Sequence, residues 1–193
     1  MIVAVVLAAG AGTRFHGPTH KLLAPWRGVP VLRRSVDAAV EAGIGPVVVV
    51  SGAVRLDGVV PAGVTVVDNP AWASGLSSSL RAGVVAAAEL GADAVVVGLG
   101  DMPGVPPSAW RAVAASGAEL ATAAYGGRAS PPVRLGRSVW TDLSASGDEG
   151  ARRLLRSRPD AVVVEVDGDG VDVDVLGDLP DPQGGGEGPL PRR

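Results

Sequence analysis

The sequence predicts a single α/β domain of three layers, built on a doubly wound, mostly parallel sheet. Three observations point there. Apolar residues make up 47% of the 193 positions and aromatic residues only 3%, so Val, Ala and Leu fill the core, as in strands covered on both faces. Short valine-rich runs of strand length end in glycine or polar residues. Those runs alternate with stretches of helical spacing, which favours parallel strands joined by right-handed crossovers.

In chain order, residues 2–7 form a buried first strand and residues 8–21 a loop. Residues 31–42 have helical spacing, opened by Pro30 and closed by Gly43. Strands follow at 46–51 and 64–67. Residues 77–90 form the clearest helix, with Ser77, Ser78 and Ser79 at its mouth and Gly91 after it. A buried strand at 94–99 runs into Gly100-Asp101-Met102-Pro103. Beyond it come a helix at 107–115, a strand at 120–125, an extended piece near Val133, a helix at 149–156, a strand at 161–166 and a short turn at 176–179. The domain is expected over 1–179. The Gly- and Pro-rich stretch 180–193 has no periodicity and reads as a disordered tail.

Composition narrows the function. A net charge of −3 supplies no broad basic footprint, so small molecules are expected as partners and nucleic acid is not. The absence of cysteine excludes disulfides, thiolate metal sites and cysteine nucleophiles. His16 and His20 are the only histidines, too few for a His-rich zinc site, and both read as solvated loop residues. The apolar start lacks a basic leader and is too short to cross a bilayer. It reads as a strand, with no membrane partner and a cytoplasmic location.

Lys21 is the single lysine among 17 basic residues, so arginine serves at every other cationic position. A compact ammonium suits following one charge, whereas a guanidinium suits a bidentate partner. Lys21 follows a turn containing Gly10, Gly12, Thr13 and Arg14, and glycines let backbone amides approach phosphate oxygens. The loop is neither a dinucleotide fingerprint, which needs a glycine where Phe15 stands, nor a P-loop, which needs Gly-Lys-Ser/Thr together. Ligands of open α/β sheets collect beyond the carboxyl ends of strands. Asp101 stands at such an end, where a divalent cation or a helix cap would satisfy it equally. Asp172 and Asp174 follow another strand and join it as candidate Mg²⁺ ligands. Gly75 and Ser77 to Ser79, with Arg81 one turn later, offer a helix mouth to an anion.

Segments 7–23, 75–83, 100–103, 146–155 and 172–179 resemble, in order and spacing, the MobA-like nucleotidyltransferases, and within them the molybdenum cofactor cytidylyltransferase branch. Leu7-Ala8-Ala9-Gly10 and Gly147-Asp148-Glu149-Gly150-Ala151-Arg152 are similar to that branch. The resemblance implies a Rossmann-like nucleotidyltransferase fold. It implies a nucleotide site made by Leu7, Ala8, Ala9, Gly10, Gly12, Thr13, Arg14 and Lys21 with Gly75, Ser77, Ser79 and Arg81. Lys21, Arg14 and Asp101 would be catalytic, and Asp101 with Asp172 or Asp174 would hold Mg²⁺. The implied reaction carries CMP from CTP to a phosphorylated pterin-type acceptor, with a molybdoenzyme or its chaperone as a further partner. Guanylyl transfer to molybdopterin or phospholactate, a short sugar-phosphate enzyme and a non-catalytic binding module are the alternatives. Two features depart from the branch: Pro131 stands where a histidine is common, and residues 15–20 form a longer approach to the lysine.

Overall fold

A computed structural model describes residues 1–144 and 146–180; the expected tail beyond Pro180 lies outside the described residues. The elements are β1 (Ile2–Leu7), a 3-10 turn at Lys21–Leu23, β2 (Pro25–Trp26), β3 (Val29–Pro30), α1 (Val31–Ala42), β4 (Val47–Ser51), β5 (Thr65–Asp68) and α2 (Leu76–Glu89). Then follow β6 (Ala94–Leu99), α3 (Pro107–Ala115), β7 (Leu120–Tyr125), β8 (Arg128–Gly136), a 3-10 turn at Arg137–Asp142, α4 (Arg152–Ser157), β9 (Val162–Glu165) and a 3-10 turn at Leu176–Asp178. The main sheet has seven strands in the order β5-β4-β1-β6-β8-β7-β9. Only β8 runs against its neighbours.

The alternation of side chains along β1 divides the core. Ala4 and Val6 face α1 and α3, packing with Leu32, Val36, Ala39, Trp110 and Val113. Val3, Val5 and Leu7 face the other way, onto Leu80, Val84 and Ala87 of α2 and Leu154 of α4. A period-two strand with both faces covered must be apolar throughout, which is why these strands read as unbroken valine runs. Removing these side chains from water is the main force holding the three layers together.

Strand order also fixes where a ligand can go. From β1 the chain crosses to β4 on one side, and after β5 it returns through α2 to β6 on the other. Leu7 and Leu99 are register partners at the carboxyl ends of β1 and β6. The loops beyond them part company there, leaving a crevice at the topological switch point.

The structure corrects several local expectations. The piece near Val133 is a nine-residue strand, and the ladder from β7 jumps from Thr122↔Val133 to Ala123↔Ser130. That jump leaves Pro131 and Pro132 outside the ladder, where their missing N–H groups cost nothing. The small hairpin of β2 and β3 was not expected. The helix expected at 149–156 begins at Arg152.

Candidate active site

The crevice between β1 and β6 is a cleft of about 380 Å³. The glycine loop after β1 forms one wall, Asp101 and Asp174 another, and Trp72, Gly75, Leu76 and Ser79 a third. Lys21 stands inside, with its side chain 12% exposed. Its Nζ donates to Asp101 Oδ2 at 2.5 Å and to the Val173 carbonyl at 3.2 Å, with Asp174 Oδ1 3.9 Å away. Arg14 reaches Asp174 Oδ2 from the same loop at 2.6 Å. Two cations and two carboxylates from distant segments thus meet across one opening.

Both sides of this arrangement are anchored by apolar packing. Phe15 and Val173 are buried together with Ala24 and Val31, so the glycine loop and the 172–174 segment share a small core. The Val173 amide donates to the Asp101 carbonyl at 2.8 Å, tying the two acidic segments together. The amides of Asp174 and Val175 both donate to Asp178 Oδ2 at 2.9 Å, which holds the turn. Burial pushes the Asp101 carboxyl above its ordinary range, Lys21 pulls it back, and the negative charge of Asp172 adds to the rise.

His20 is a half-buried latch, in contrast to the solvated loop residue expected, while His16 is exposed. The Leu22 amide donates to His20 Nδ1 at 3.2 Å, so the proton sits on Nε2, which faces the Gly10 carbonyl at 3.1 Å. Gly12 adopts φ +60, and an added Cβ would lie 3.1 Å from His20 Nε2 and 3.1 Å from Lys21 Cγ. The loop therefore closes on a glycine. Burial lowers the His20 pKa, against backbone contacts to Gly10 and Ala11 that raise it. With the folded value below the unfolded one, the stabilisation is present above about pH 6.5 and is lost as pH falls through the depressed value. Melting temperatures measured between about pH 7 and pH 5 are expected to fall more steeply for the wild type than for His20→Gln. Parallel curves would remove His20 as a titrating support.

The helix mouth is built differently from the expectation. Asn69, 4% exposed, donates from Nδ2 to Ser78 Oγ at 2.9 Å and to Ser79 Oγ at 3.0 Å, and its Oδ1 accepts from the Ala71 amide at 3.1 Å. Ser78 in turn bonds the carbonyls of Ala71 and Gly75. Ser79 accepts from Asn69, which leaves its own O–H to donate into the cleft. Ser77 is buried outside the lining and its amide donates to Gly147 O at 2.9 Å, while Arg81 is exposed and also lies outside the lining. Neither reaches the cleft as expected.

Leu7, Ala8, Ala9, Gly10, Gly12, Thr13, Arg14, Lys21, Gly75, Ser79, Asp101 and Asp174 all line the cleft. Asp172 is exposed and does not, so of the two candidates Asp174 is the one that lines the cleft. Among the described residues no group of three His, Cys, Asp or Glu side chains is placed to hold a metal ion. Trp72, which lines the cleft, and Asn69 beneath it went unnoticed in the sequence, and Asp148, read there as part of a family motif with no place in the site, lines the cleft as well. The Asn-Pro pair at 69–70 was the available turn signal.

Residues 4–162 match the MobA-like NTP transferase domain. The chain belongs to the MobA-like family. It is a nucleotidyltransferase of that type, and it is similar over most of its length to solved members. Rv0371c from Mycobacterium tuberculosis H37Rv is 31% identical, with a TM-score of 0.74 over 91% of this chain and 94% of that one. A nucleotidyl transferase from Methanothermobacter thermautotroptrophicus, Mth528, is 31% identical, with a TM-score of 0.72 over 86% and 87%. A further structure of Rv0371C is a complex with manganese, again 31% identical over 91% and 94%, with a TM-score of 0.69. Among curated proteins, the bifunctional enzyme IspD/IspF of Novosphingobium aromaticivorans is 50% identical over 48 residues. That match spans 25% of this chain and only 12% of the relative's length. Among the described residues no helix is long and apolar enough to cross a membrane.

Proposed function

We propose that this MobA-like domain, over residues 1–179, transfers CMP from CTP to a phosphorylated pterin-type acceptor and releases pyrophosphate. The observation that supports this best is Lys21 facing Asp101 across the cleft, 2.5 Å apart, with Arg14 and Asp174 paired beside them. The preference for CTP rests on Leu7-Ala8-Ala9-Gly10. Transfer of the finished cofactor to a molybdoenzyme or its chaperone belongs to the same reading.

The donor set fits a divalent cation. Asp101 and Asp174 offer hard carboxylate oxygens, and two carboxylates suit Mg²⁺, which completes its shell with phosphate oxygens and water. Those two residues would hold the ion, which when bound neutralises phosphate charge. The manganese complex of a 31% identical relative supports a divalent ion here.

The chain's own groups supply positioning and charge. Gly10 and Gly12 present backbone amides to the triphosphate, and Arg14, exposed at the rim, can swing from Asp174 to the outer phosphates. Lys21 neutralises charge that develops between the α-phosphate and the leaving group. An acceptor phosphate oxygen bonds to the α-phosphorus, the bond from that phosphorus to the bridging oxygen breaks, and pyrophosphate leaves with the electron pair. Ser79 donates its free O–H to the bound nucleotide.

The test is a pyrophosphate-release screen of CTP, GTP, ATP and UTP, each with molybdopterin and with phospholactate, with Mg²⁺ or with chelator. Release is expected with CTP and molybdopterin, and chelation is expected to abolish it. Release with GTP alone would move the protein to guanylyl transfer. Tight CTP binding without release for any acceptor would make it a binding module.

A further inference from the structure

Asp148 lines the nucleotide cleft without a partner. Two hydrogen bonds clasp the residue before it onto the head of α2: the Gly147 amide donates to the Ser74 carbonyl and the Ser77 amide to the Gly147 carbonyl, each at 2.9 Å. The clasp lays the Asp148 side chain over Gly75, so closely that a Cβ on Gly75 would lie 2.7 Å from Asp148 Oδ1. A carboxylate at a helix mouth ordinarily caps the amides of the first turn. Here the Ser77 and Ser78 amides are already taken, by the carbonyls of Gly147 and Gly75. Nor does Asp148 serve an ion pair: its neighbour Glu149 holds Arg156, and among the described residues no cation is paired with Asp148. The other two carboxylates of the cleft each face a cation, Asp101 facing Lys21 and Asp174 facing Arg14.

An ionised carboxylate only accepts hydrogen bonds, so a ligand must bring donors to this wall. A triphosphate brings negative charge instead, which a carboxylate without a cation repels. The phosphates therefore belong along Gly10, Gly12, Arg14 and Lys21, and the nucleoside at Asp148. We propose that Asp148 reads the sugar: its two oxygens accept from the 2′ and 3′ hydroxyls, so the site takes ribonucleotides and discriminates against their deoxy counterparts. The proposal rests on the nucleotidyl-transfer reading and adds the sugar to what the site selects. Ribose fits this carboxylate better than the base does. Vicinal hydroxyls match the two oxygens of one carboxylate, and an acidic side chain fills the same role in dinucleotide-binding folds. The base has apolar surface to lie on at Trp72, Ala73 and Leu76, whereas Asp148 is exposed, where sugar hydroxyls keep their remaining contacts with water.

The test measures equilibrium binding of CTP, 2′-deoxy-CTP, 3′-deoxy-CTP and UTP to the full chain, with Mg²⁺ and no acceptor. Each deoxy analogue is expected to bind the wild type about tenfold or more weaker than CTP. Asp148→Ala is expected to weaken CTP by about tenfold or more and to bring its ratio to either deoxy analogue close to unity. Asp148→Asn, which keeps an acceptor oxygen, is expected to recover part of the preference. The ratio of CTP to UTP is expected to be the same in wild type and Asp148→Ala. Equal binding of CTP and both deoxy analogues by the wild type, or a sugar preference that survives in Asp148→Ala, would overturn the proposal. So would a changed ratio of CTP to UTP with the sugar preference intact, which would hand the carboxylate to the base. A wild type that binds none of the four nucleotides defeats the transferase reading, whereas nucleotides bound without regard to the sugar defeat this inference alone.

Discussion

Lys21→Ala is expected to lower kcat/KM for nucleotidyl transfer by roughly 10² to 10³, equivalent to about 2.7–4 kcal/mol of lost transition-state stabilisation. The magnitude follows from where the ammonium sits. With 12% of its side chain exposed and Asp101 only 18% exposed, the charge acts with little solvent to screen it. It is also held in advance, by Asp101 at 2.5 Å and the Val173 carbonyl at 3.2 Å, so little reorganisation is needed as charge develops. Lys21→Arg is not expected to restore the rate. The stem passes so near Gly12 that a single added carbon there would lie 3.1 Å from Lys21 Cγ, and a planar fork needs more room than an ammonium. Asp101→Asn is expected to reduce the rate by a similar factor and to weaken metal binding as well, measured by metal titration of the rate. Retention of more than about a tenth of the wild-type rate by Lys21→Ala would remove the lysine from the chemistry.

This cleft was partly visible in the sequence, and the reason differs from residue to residue. The strands of the central sheet could be read because both faces are covered, which leaves a valine run with few rival interpretations. Lys21 stood out because arginine fills every other basic position. β8 could not be read, because Pro131 and Pro132 argue against a strand unless the register jump beside them is known, and that jump belongs to the pairing with β7. The choice between Asp172 and Asp174 was equally hidden. It depends on Val173 entering the Phe15 cluster and on Asp178 bracing the turn, both of which are tertiary facts. The three serines at the head of α2 misled for a related reason. Serines at a helix mouth look like an anion site, but Asn69 lies beneath them, Ser78 is turned back to the carbonyls of Ala71 and Gly75, and Ser79 alone keeps an O–H for the cleft. A polar residue seven positions upstream of the helix gives no periodic signal.

Gly75→Ala is expected to damage both stability and catalysis. Gly75 adopts φ +106 and ψ 174, a region essentially closed to residues with a Cβ. The added atom would also lie 2.5 Å from the Gly147 carbonyl oxygen and 2.7 Å from Asp148 Oδ1. The neighbouring backbone has little freedom to give way. Gly147 donates to the Ser74 carbonyl at 2.9 Å, and Ser77 donates back to the Gly147 carbonyl at 2.9 Å. Backbone strain of about 1–3 kcal/mol and overpacking of about 1–3 kcal/mol act together, so the melting temperature should fall by roughly 5–15 °C. Catalysis suffers through the same contact. Asp148 lines the nucleotide cleft, so displacing this segment is expected to raise KM for the nucleotide. Gly177→Ala is the matching control, because an added Cβ there meets nothing within 4 Å, and its melting temperature should stay near the wild type's. Equal melting temperatures and equal KM values for Gly75→Ala and Gly177→Ala would show that the approach of 147–148 to the α2 mouth is not what shapes the nucleotide cleft.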